Sequence, residues 1–525
     1  MTATAGRREV APDPLWQQSQ RLLVRGHIAE ARRVLAQMRA RGAGVFAELL
    51  AAQLAWREDH VRVATGHALA AALAVGDDPD KLCATANILL ETGESVAARD
   101  CLDRLSLDGS DDARLLERVA ALRKRLHQYA EALALLERAR RLAPERASLR
   151  YALGVSLITA GRLDAAEAEL AASLAAAPAH GVVAVPLVRL RPQTPESNHL
   201  EALDTGAALA RPGSIDAAAF AFARYKTVED LGRDAEAWQA LARGNALMHA
   251  RLPDGAAEHR AWLDRFLAVW PVTAAIPPAP PAGPQPIFIV GLPRTGTTVL
   301  ERMLGNHSRV AVAGELADFG AQLHWMTDTR NAHSDALTAR LPGVDFAELG
   351  RRYLERTRWR AGGKDFFIDK QPPNWVMVGA IHAALPGAPI LNLVRDPMDT
   401  CFSNFRAYFG DACAYSYDLA ALAAVFQDYR RACAHWHRIL PDAVLDVPYP
   451  DLVRSPDSTL RRVFAFCGLD WEPACTDITR NAAPSATLSA AAVRSPLHTR
   501  AFGEWRRYAA HLEPLAVALA APAVK

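Results

Sequence analysis

The chain has 525 residues, of which 50% are hydrophobic and 22% are charged. This balance is typical of a folded globular protein and excludes a disordered or collagen-like chain. The 60 Lys and Arg residues nearly cancel the 58 Asp and Glu residues, and the net charge of +2 disfavours a surface that coats nucleic acid. At roughly 150 residues per domain, the length allows about three or four domains.

Segments that direct export or membrane insertion are not evident in the sequence. Residues 1–18 reach a proline and a polar run before any apolar segment, and no run of about 18 apolar residues follows. We therefore expect a cytoplasmic protein without a membrane span. The seven cysteines form no C-x-x-C pair, so we expect free thiols and neither a disulfide framework nor a zinc site.

The first half of the chain, up to about Trp270, is rich in Ala, Leu and Arg at helical spacing. Pro144 and Pro178 are 34 residues apart, and the same offset relates pairs of small residues such as Ala132 with Ala166 and Ala120 with Gly154. This period resembles that of tetratricopeptide repeats, which are stacked pairs of antiparallel helices. Three units are visible and a weaker one begins near Gly26. The alternative is an Ala-rich helical bundle without repeats.

Composition divides the chain into four parts. We predict a helical repeat solenoid over residues 1–194, a bridging helical segment over 195–270, a Pro-rich extended linker over 271–286 and a second domain over 287–525. In the second domain, short β-branched runs alternate with helical stretches. That alternation predicts an α/β fold of three layers, with a parallel sheet covered on both faces.

The second domain begins with a predicted strand, a tight turn and a helix over 287–304. The turn would present backbone N–H groups at a helix N-terminus, where an anion is favoured. Gly291 and Gly296 let the backbone approach a ligand, and the residues that add donors are Arg294, Thr295, Thr297 and Thr298. Because Thr297 stands where a nucleotide triphosphate loop requires lysine, the turn favours a phosphate group held without an obligatory metal ion.

The Pro-Arg-Thr-Gly-Thr-Thr run at 293–298 resembles the loop of sulfotransferases that use 3′-phosphoadenosine-5′-phosphosulfate (PAPS), and most closely the tyrosylprotein sulfotransferase branch. In that family the matching segment holds the 5′-phosphosulfate. The resemblance implies a P-loop-like α/β fold, PAPS as sulfuryl donor and no metal requirement. It covers about residues 286–510.

A second strand, turn and helix over 389–405 places Arg395 at the end of a strand and Ser403 eight residues later. Ligands of open parallel sheets bind at such carboxyl ends, so this turn and the loop at 291–298 could hold the two phosphate-bearing ends of one nucleotide. The resemblance implies the same assignment, because the family's 3′-phosphate motif has this arginine, then Asp-Pro, and a serine at the eighth position. We expect Arg395 to bind the 3′-phosphate bidentately.

Two further residues are candidates for catalysis. Glu315 follows a short apolar strand, and in the tyrosylprotein branch the matching glutamate is the general base that an attacking hydroxyl requires. Lys370 follows the Phe-Phe-Ile-Asp strand, and with Arg294 it would stabilise the negative charge that builds toward the leaving phosphate. The alternatives are a surface glutamate at 315 and a solvated pair of Asp369 with Lys370.

Near the C-terminus the resemblance implies cofactor contacts by Tyr449, Ser489 and Arg494, although Tyr449 suits core packing equally. Two residues depart from the family pattern. Ala492 replaces a frequent glutamine, and Glu504 precedes Trp505 where a basic residue is usual. These departures bear on how the 3′-phosphate is held.

The sequence therefore predicts a PAPS-dependent sulfotransferase that acts on a hydroxyl of a peptide, glycan or small alcohol, with a peptide tyrosine favoured by Glu315. The repeats would present a peptide or bind a protein partner. Two alternatives stay open: an ATP-dependent kinase of the P-loop type, and a non-catalytic repeat scaffold that binds peptides.

Overall fold

A computed structural model describes residues 13–42, 44–252, 255–270, 283–488, 490 and 492–520. The N-terminal part consists of helices joined by short turns. Aspartates that precede several of them accept hydrogen bonds from first-turn N–H groups, as Asp13 does ahead of Pro14 and Asp78 ahead of Pro79. The helices form five consecutive pairs: α1 (Pro14–Val24), α2 (Ile28–Ala40), α3 (Gly44–Arg57), α4 (Val61–Ala74), α5 (Pro79–Glu91), α6 (Ser95–Asp103), α7 (Ala113–Arg125), α8 (Tyr129–Leu142), α9 (Ala147–Ala160) and α10 (Leu163–Ala176).

The small residues of the 34-residue period lie where paired helices cross. Ala132 and Ala166 are fully buried, and a Cβ on Gly154 would lie 2.7 Å from Cγ of Leu170. The two prolines follow the ends of α8 and α10, as expected for residues that cannot continue a helix. The prediction of a repeat solenoid is confirmed.

The bridging segment is helical, and its last helices pack on the α/β domain. Trp270 contacts Phe346 and Trp436 of that domain, with ring centroids 5.6 and 6.2 Å apart. One continuous apolar core therefore extends from the end of the repeats into the α/β domain. In the structure we take the bridging segment to begin with α11, ahead of the predicted start at residue 195, and its helices are α11 (Ala184–Val188), α12 (Leu200–Leu209), α13 (Ile215–Asp230), α14 (Asp234–His249) and α15 (Ala256–Ala268).

Most of the predicted Pro-rich linker, residues 271–282, lies outside the described residues. The structure corrects its end, because the first strand already begins at Gln285, whose N–H donates to the carbonyl of Asp365 at 2.9 Å. Pro286 is tolerated in that strand because the neighbouring strand on its other side pairs only from Phe288 onward.

The α/β domain is built on five parallel strands in the order β2-β3-β1-β4-β5. The strands are β1 (Gln285–Gly291), β2 (Val310–Gly314), β3 (Phe366–Lys370), β4 (Ile390–Val394) and β5 (Val444–Pro448). All five lie on short β-branched or apolar runs of the second domain, and β1 lies at the centre of the sheet. The predicted fold class is confirmed.

Helices cover both faces of this sheet, because each parallel strand needs a crossover to reach the next. They are α16 (Thr297–Leu304), α17 (Asp318–Thr327), α18 (Asp335–Arg340), α19 (Phe346–Thr357), α20 (Val378–Ala384), α21 (Pro397–Phe405), α22 (Leu419–Ile439), α23 (Tyr449–Arg454), α24 (Pro456–Cys467) and α25 (Ala509–Ala520). Among the described helices, none is both long and apolar enough to cross a membrane. All seven cysteines are free thiols, as predicted.

Candidate functional site

The two predicted anion-binding turns lie side by side at the carboxyl edge of the sheet. They follow the neighbouring strands β1 and β4, and Nη1 of Arg395 donates to the carbonyl of Arg294 at 3.2 Å. The structure therefore brings both turns to the same edge of the sheet, and their joint hold on one nucleotide stays a prediction.

The turn after β1 has the backbone of a ligand-binding loop. Gly291, Arg294 and Gly296 have positive φ angles of 143°, 68° and 109°, and such a φ is uncommon for a residue with a Cβ such as Arg294. Gly296 has no room for a side chain, because a Cβ there would lie 2.2 Å from Cδ2 of Tyr449. The loop opens into α16, whose first turn carries Thr297 and Thr298 with N–H groups that have no partner inside the helix.

A first cavity of about 380 Å³ lies on the β3 side of this loop. Lys370, at the end of β3, is almost fully buried, with 1% of its side chain exposed, and its Nζ donates to Oε1 of Glu315. Glu315 lines the cavity with about half of its side chain exposed. Because Asp369 and Lys370 are both buried, the alternative of a solvated pair between them is excluded, whereas Glu315 is an exposed carboxylate that contacts Lys370 and its role as a base stays a prediction.

Glu301 of α16 is a third charged member of the first cavity, and the sequence analysis missed it. Its Oε2 lies 3.9 Å from Nζ of Lys370, so the ammonium lies between two carboxylates. Burial raises the pKa of Glu301, while the Lys370 charge opposes that shift. The signal was available, because Glu301 lies one helical turn after the loop threonines and faces the same way as Thr297.

On the opposite side of β3, Asp369 is buried in the core and accepts a hydrogen bond from the hydroxyl of Tyr353 at 2.8 Å. Burial raises the pKa of Asp369 to about 8. Because neighbouring residues of a strand point to opposite faces, Lys370 reaches the cavity and Asp369 does not.

The repeat domain supplies one wall of the first cavity. His127 and Tyr129, at the turn between α7 and α8, line it with rings stacked at a centroid distance of 5.5 Å. Nδ1 of His127 lies 2.7 Å from the carbonyl oxygen of Ala313, which fixes this turn against β2. Burial, with smaller contributions from Glu315 and Glu301, raises the pKa of Tyr129 to about 12. No sequence signal identified these two residues.

A second cavity, of about 280 Å³, lies on the other side of the loop. Arg294, Ser403 and Arg406 line it from the α/β domain, and Arg189 lines it from the bridging segment. Arg294 and Lys370 therefore line different cavities, although both are predicted to act on the transferred group. Their joint catalytic role stays a prediction.

Arg395 does not line the second cavity among its described residues. Its guanidinium donates to the carbonyl oxygens of Arg294 and Ala501, and Oδ2 of Asp399 lies 4.0 Å away. The ring of Tyr449 lies beneath it, with the centroid 5.1 Å from the guanidinium carbon. Arg395 thus joins the loop after β1 to a C-terminal segment, and its predicted contact with a 3′-phosphate stays a prediction.

The structure places the four remaining positions from the sequence analysis differently. Ser489 and the side chain of Ala492 lie outside the described residues. Arg494 donates from Nη2 to the carbonyl of Thr159 on α9 at 2.9 Å, so the structure places it against the repeat domain. Glu504 forms an ion pair with Arg406 at the second cavity.

The remaining hydroxyls of the loop are held within the protein. Thr295 donates to the carbonyl of Leu292 at 2.8 Å, and the hydroxyl of Thr298 lies 3.4 Å from that of Thr487. Within the described ranges, no group of three or more His, Cys, Asp and Glu side chains is arranged to hold a metal ion. The arrangement combines a carboxylate and a buried ammonium on one side of the loop with a group of arginines on the other.

Comparison with known families matches both parts of the chain. Residues 286–473 match a family model described as sulfotransferase family, and residues 125–184 match one described as tetratricopeptide repeat. The sulfotransferase range contains the residues of the α/β domain, up to Arg406, that line the two cavities. The repeat range contains His127 and Tyr129, which line the first cavity.

Individual relatives are distant. An uncharacterized protein of Aquifex aeolicus is 26% identical over 311 residues, which cover 56% of this chain and 40% of that protein. Nodulation protein NoeE of Sinorhizobium fredii is 27% identical over 216 residues, which cover 36% of this chain and 50% of that protein. The chain thus spans half or less of the length of these curated relatives. A solved sulfotransferase domain of the Synechococcus PCC 7002 olefin synthase is 20% identical, with a TM-score of 0.32, and covers 45% of this chain and 91% of its own.

Proposed function

We propose that this protein transfers a sulfuryl group from PAPS to an acceptor hydroxyl and leaves adenosine 3′,5′-bisphosphate. The proposal builds on the match of one part of the chain to tetratricopeptide repeats and of another part to the sulfotransferase family. The observation that carries the proposal is the contact of buried Lys370 with Glu315 beside the loop after β1. A base and a cation are the two groups that this transfer needs, and both lie at the edge where parallel sheets bind their ligands.

In the proposed reaction the acceptor oxygen attacks sulfur and the bond from sulfur to the bridging phosphate oxygen breaks. Glu315 takes the hydroxyl proton as the new S–O bond forms. Lys370 stabilises the negative charge that develops on the bridging oxygen. This charge grows from the ground state to the transition state. Since this charge is greater in the transition state than in the ground state, the ammonium accelerates the step more than it tightens substrate binding.

The donor would lie across the loop after β1. We assign the 5′-phosphosulfate to the backbone of residues 294–298 and to Thr297 and Thr298, and the 3′-phosphate to the side of Arg395 and Ser403. Tyr449 would contact the nucleotide over Gly296. Ser489 and Arg494 remain candidates for the cofactor, although the side chain of Arg494 contacts Thr159.

The acceptor in this proposal is a phenol-like hydroxyl, such as a peptide tyrosine. The proposal is supported by the first cavity, whose walls include the rings of Tyr129 and Trp359 next to Glu315. Aromatic walls favour a flat acceptor that stacks between them. A groove of the repeats would then lead a peptide toward this cavity.

Thermal-shift measurements with PAPS, ATP and ATP with Mg²⁺ test the donor. We expect stabilisation by PAPS, and stabilisation by Mg²⁺-ATP alone would favour the kinase alternative. Mass spectrometry of tyrosine peptides, glycans and small phenols incubated with PAPS and the full chain tests the reaction. A gain of one sulfuryl group on a phenol is expected, and no product from any acceptor class would favour a binding scaffold.

A further inference from the structure

The second cavity is formed by two parts of the molecule that lie far apart in sequence. Arg189 and Tyr225 come from the bridging helices, whereas Arg294, Ser403 and Arg406 come from the α/β domain. Arg189 follows α11 directly and lies outside the residues that match the sulfotransferase family model. The bridging segment therefore contributes a cation to a cavity that the loop after β1 also lines.

The charges around this cavity do not balance. Its described lining contains four cationic side chains and three carboxylates: Arg189, Lys226, Arg294, Arg406, Glu229, Asp230 and Glu504. Two of the carboxylates are engaged, since Glu504 pairs with Arg406 and Asp230 pairs with Lys226. Glu229 accepts from the hydroxyl of Tyr225 at 2.7 Å, and its Oε1 is 3.9 Å from Nη1 of Arg406.

Arg189 stands apart from these ion pairs. Among the described residues, its guanidinium forms no ion pair within 4 Å and no side-chain hydrogen bond. Burial, and then repulsion from Arg406, lowers its pKa. Burial and the charges of Arg189, Arg406 and Arg395 likewise lower the pKa of Arg294 to about 9. Such a group of arginines is stabilised by a bound anion, because the anion offsets their mutual repulsion.

The chemistry of the lining fits a phosphate monoester. Guanidinium groups pair with phosphate oxygens bidentately, and the hydroxyl of Ser403 can donate to a third oxygen. The cavity volume of about 280 Å³ is ample for one phosphate group and leaves room for part of a ribose. The cavity lies beside the loop after β1. A nucleotide with one end on that loop could therefore reach the cavity with its other end.

We propose that Arg189 of the bridging segment binds a phosphate dianion in the second cavity together with Arg294, Ser403 and Arg406, and that this group is the 3′-phosphate of the donor nucleotide. The inference rests on the proposed function for the identity of the nucleotide. It makes the helical half of the chain part of the nucleotide site, and it assigns selection of the 3′-phosphate to a residue outside the matched sulfotransferase region.

Isothermal titration of the full chain with adenosine 3′,5′-bisphosphate, AMP and inorganic phosphate tests the inference. Arg189→Met keeps the apolar stem and removes the charge. We expect it to weaken bisphosphate binding about 10-fold or more, as loss of a charge-assisted contact predicts, and AMP binding by less than about 2-fold. Arg189→Lys should recover part of the lost affinity.

Arg191→Met is the matched control. Arg191 is two residues away and pairs with Glu167 at 2.9 Å outside the cavity, so both affinities should stay unchanged. Equal affinities of wild type and Arg189→Met for the bisphosphate would overturn the inference and leave the proposed function standing. Inorganic phosphate that binds wild type as tightly as the bisphosphate would assign the cavity to free phosphate instead. A wild-type chain that binds no bisphosphate would overturn both the inference and the proposed function.

Discussion

The two cavities beside the loop after β1 hold different kinds of charge. In the first, Lys370 lies between Glu315 and Glu301, so the cation is matched by carboxylates that touch it. In the second, cations outnumber carboxylates and Arg189 has no acidic partner within the described chain. A paired base and cation suit proton transfer and charge stabilisation, whereas a surplus of arginines suits the binding of an anion.

The cavities share one property, which is that the helical half of the chain supplies a wall to each. His127 and Tyr129 line the first, and Arg189 and Tyr225 line the second. The helical half therefore does more than accompany the α/β domain. The predictions below test whether reaction and binding are divided between the cavities, and whether the helical walls hold them in place.

The largest effect is expected at Glu315. Glu315→Gln removes the proposed base with little change in size, so turnover should fall about 10²- to 10⁴-fold while affinity for adenosine 3′,5′-bisphosphate stays unchanged. Single-turnover sulfuryl transfer and titration calorimetry measure the two quantities. Glu355→Gln, on the exposed face of α19, is the control with normal turnover. A loss of nucleotide affinity at Glu315→Gln would show that the first cavity also binds the nucleotide.

The next effect concerns the contact of the repeats with the α/β domain. Glu94, with 7% of its side chain exposed, accepts from Arg352 at 3.2 Å and from Arg356 at 2.8 Å. Glu94→Ala leaves two buried arginines without their carboxylate and should lower the free energy of unfolding by about 3–5 kcal/mol. Urea denaturation measures the change.

Glu58→Ala is the control for Glu94. It breaks the exposed pair with Arg32, whose side chain is 60% exposed, and should cost at most about 1 kcal/mol. Equal costs at the two positions would mean that the buried ion pairs do not hold the repeats against the α/β domain.

A smaller effect is expected at Arg395, which donates to the loop after β1 and does not line the second cavity among its described residues. Arg395→Ala should weaken binding of adenosine 3′,5′-bisphosphate about 10- to 100-fold, because a charged hydrogen-bond partner is removed, and should weaken AMP binding far less. Titration calorimetry with both nucleotides measures the ratio. Equal losses for both would indicate that Arg395 only holds the loop through its bond to the carbonyl of Arg294.

The last prediction is a pH dependence at the strand that carries Lys370. The pKa of Asp369 is raised by burial from 3.8 to about 8, so the folded state keeps a proton that the unfolded chain releases. Its contribution to stability is therefore full below pH 3.8 and is lost as the pH rises toward 8. Asp369→Asn should flatten this decline in unfolding experiments between pH 4 and 8, while the amide oxygen still accepts from Tyr353. A decline of unchanged slope would place the titrating group elsewhere.

Local motifs account for the predictions that the structure confirms. The strands were recognised from short β-branched runs, and the repeats from a 34-residue period whose small residues lie at helix crossings. The adjacency of the loops after β1 and β4 followed from the rule that parallel strands bring their carboxyl ends to one edge. The start of β1 was misplaced by two residues, because Pro286 suggested a linker although the strand there lacks a partner on one side.

Side-chain partners were predicted less well. The pairing of Lys370 with Glu315 depends on a register between β2 and β3 that no short motif encodes. The guanidinium of Arg395 donates to two main-chain carbonyls, each more than a hundred residues away in the sequence, and its contact with a ligand stays a prediction. The side chain of Arg494 contacts the carbonyl of Thr159 in the repeat domain, and its predicted contact with the cofactor stays a prediction.

The amino-acid sequence alone determined the repeat period, the parallel sheet and the loop after β1, because each is built from neighbouring residues whose spacing and chemistry can be recognised locally. Only the tertiary structure decided that Arg189, His127 and Tyr129 line the cavities on the two sides of that loop. These residues reach them because the helical half and the α/β domain share one continuous apolar core, and burial of that core sets where distant side chains meet.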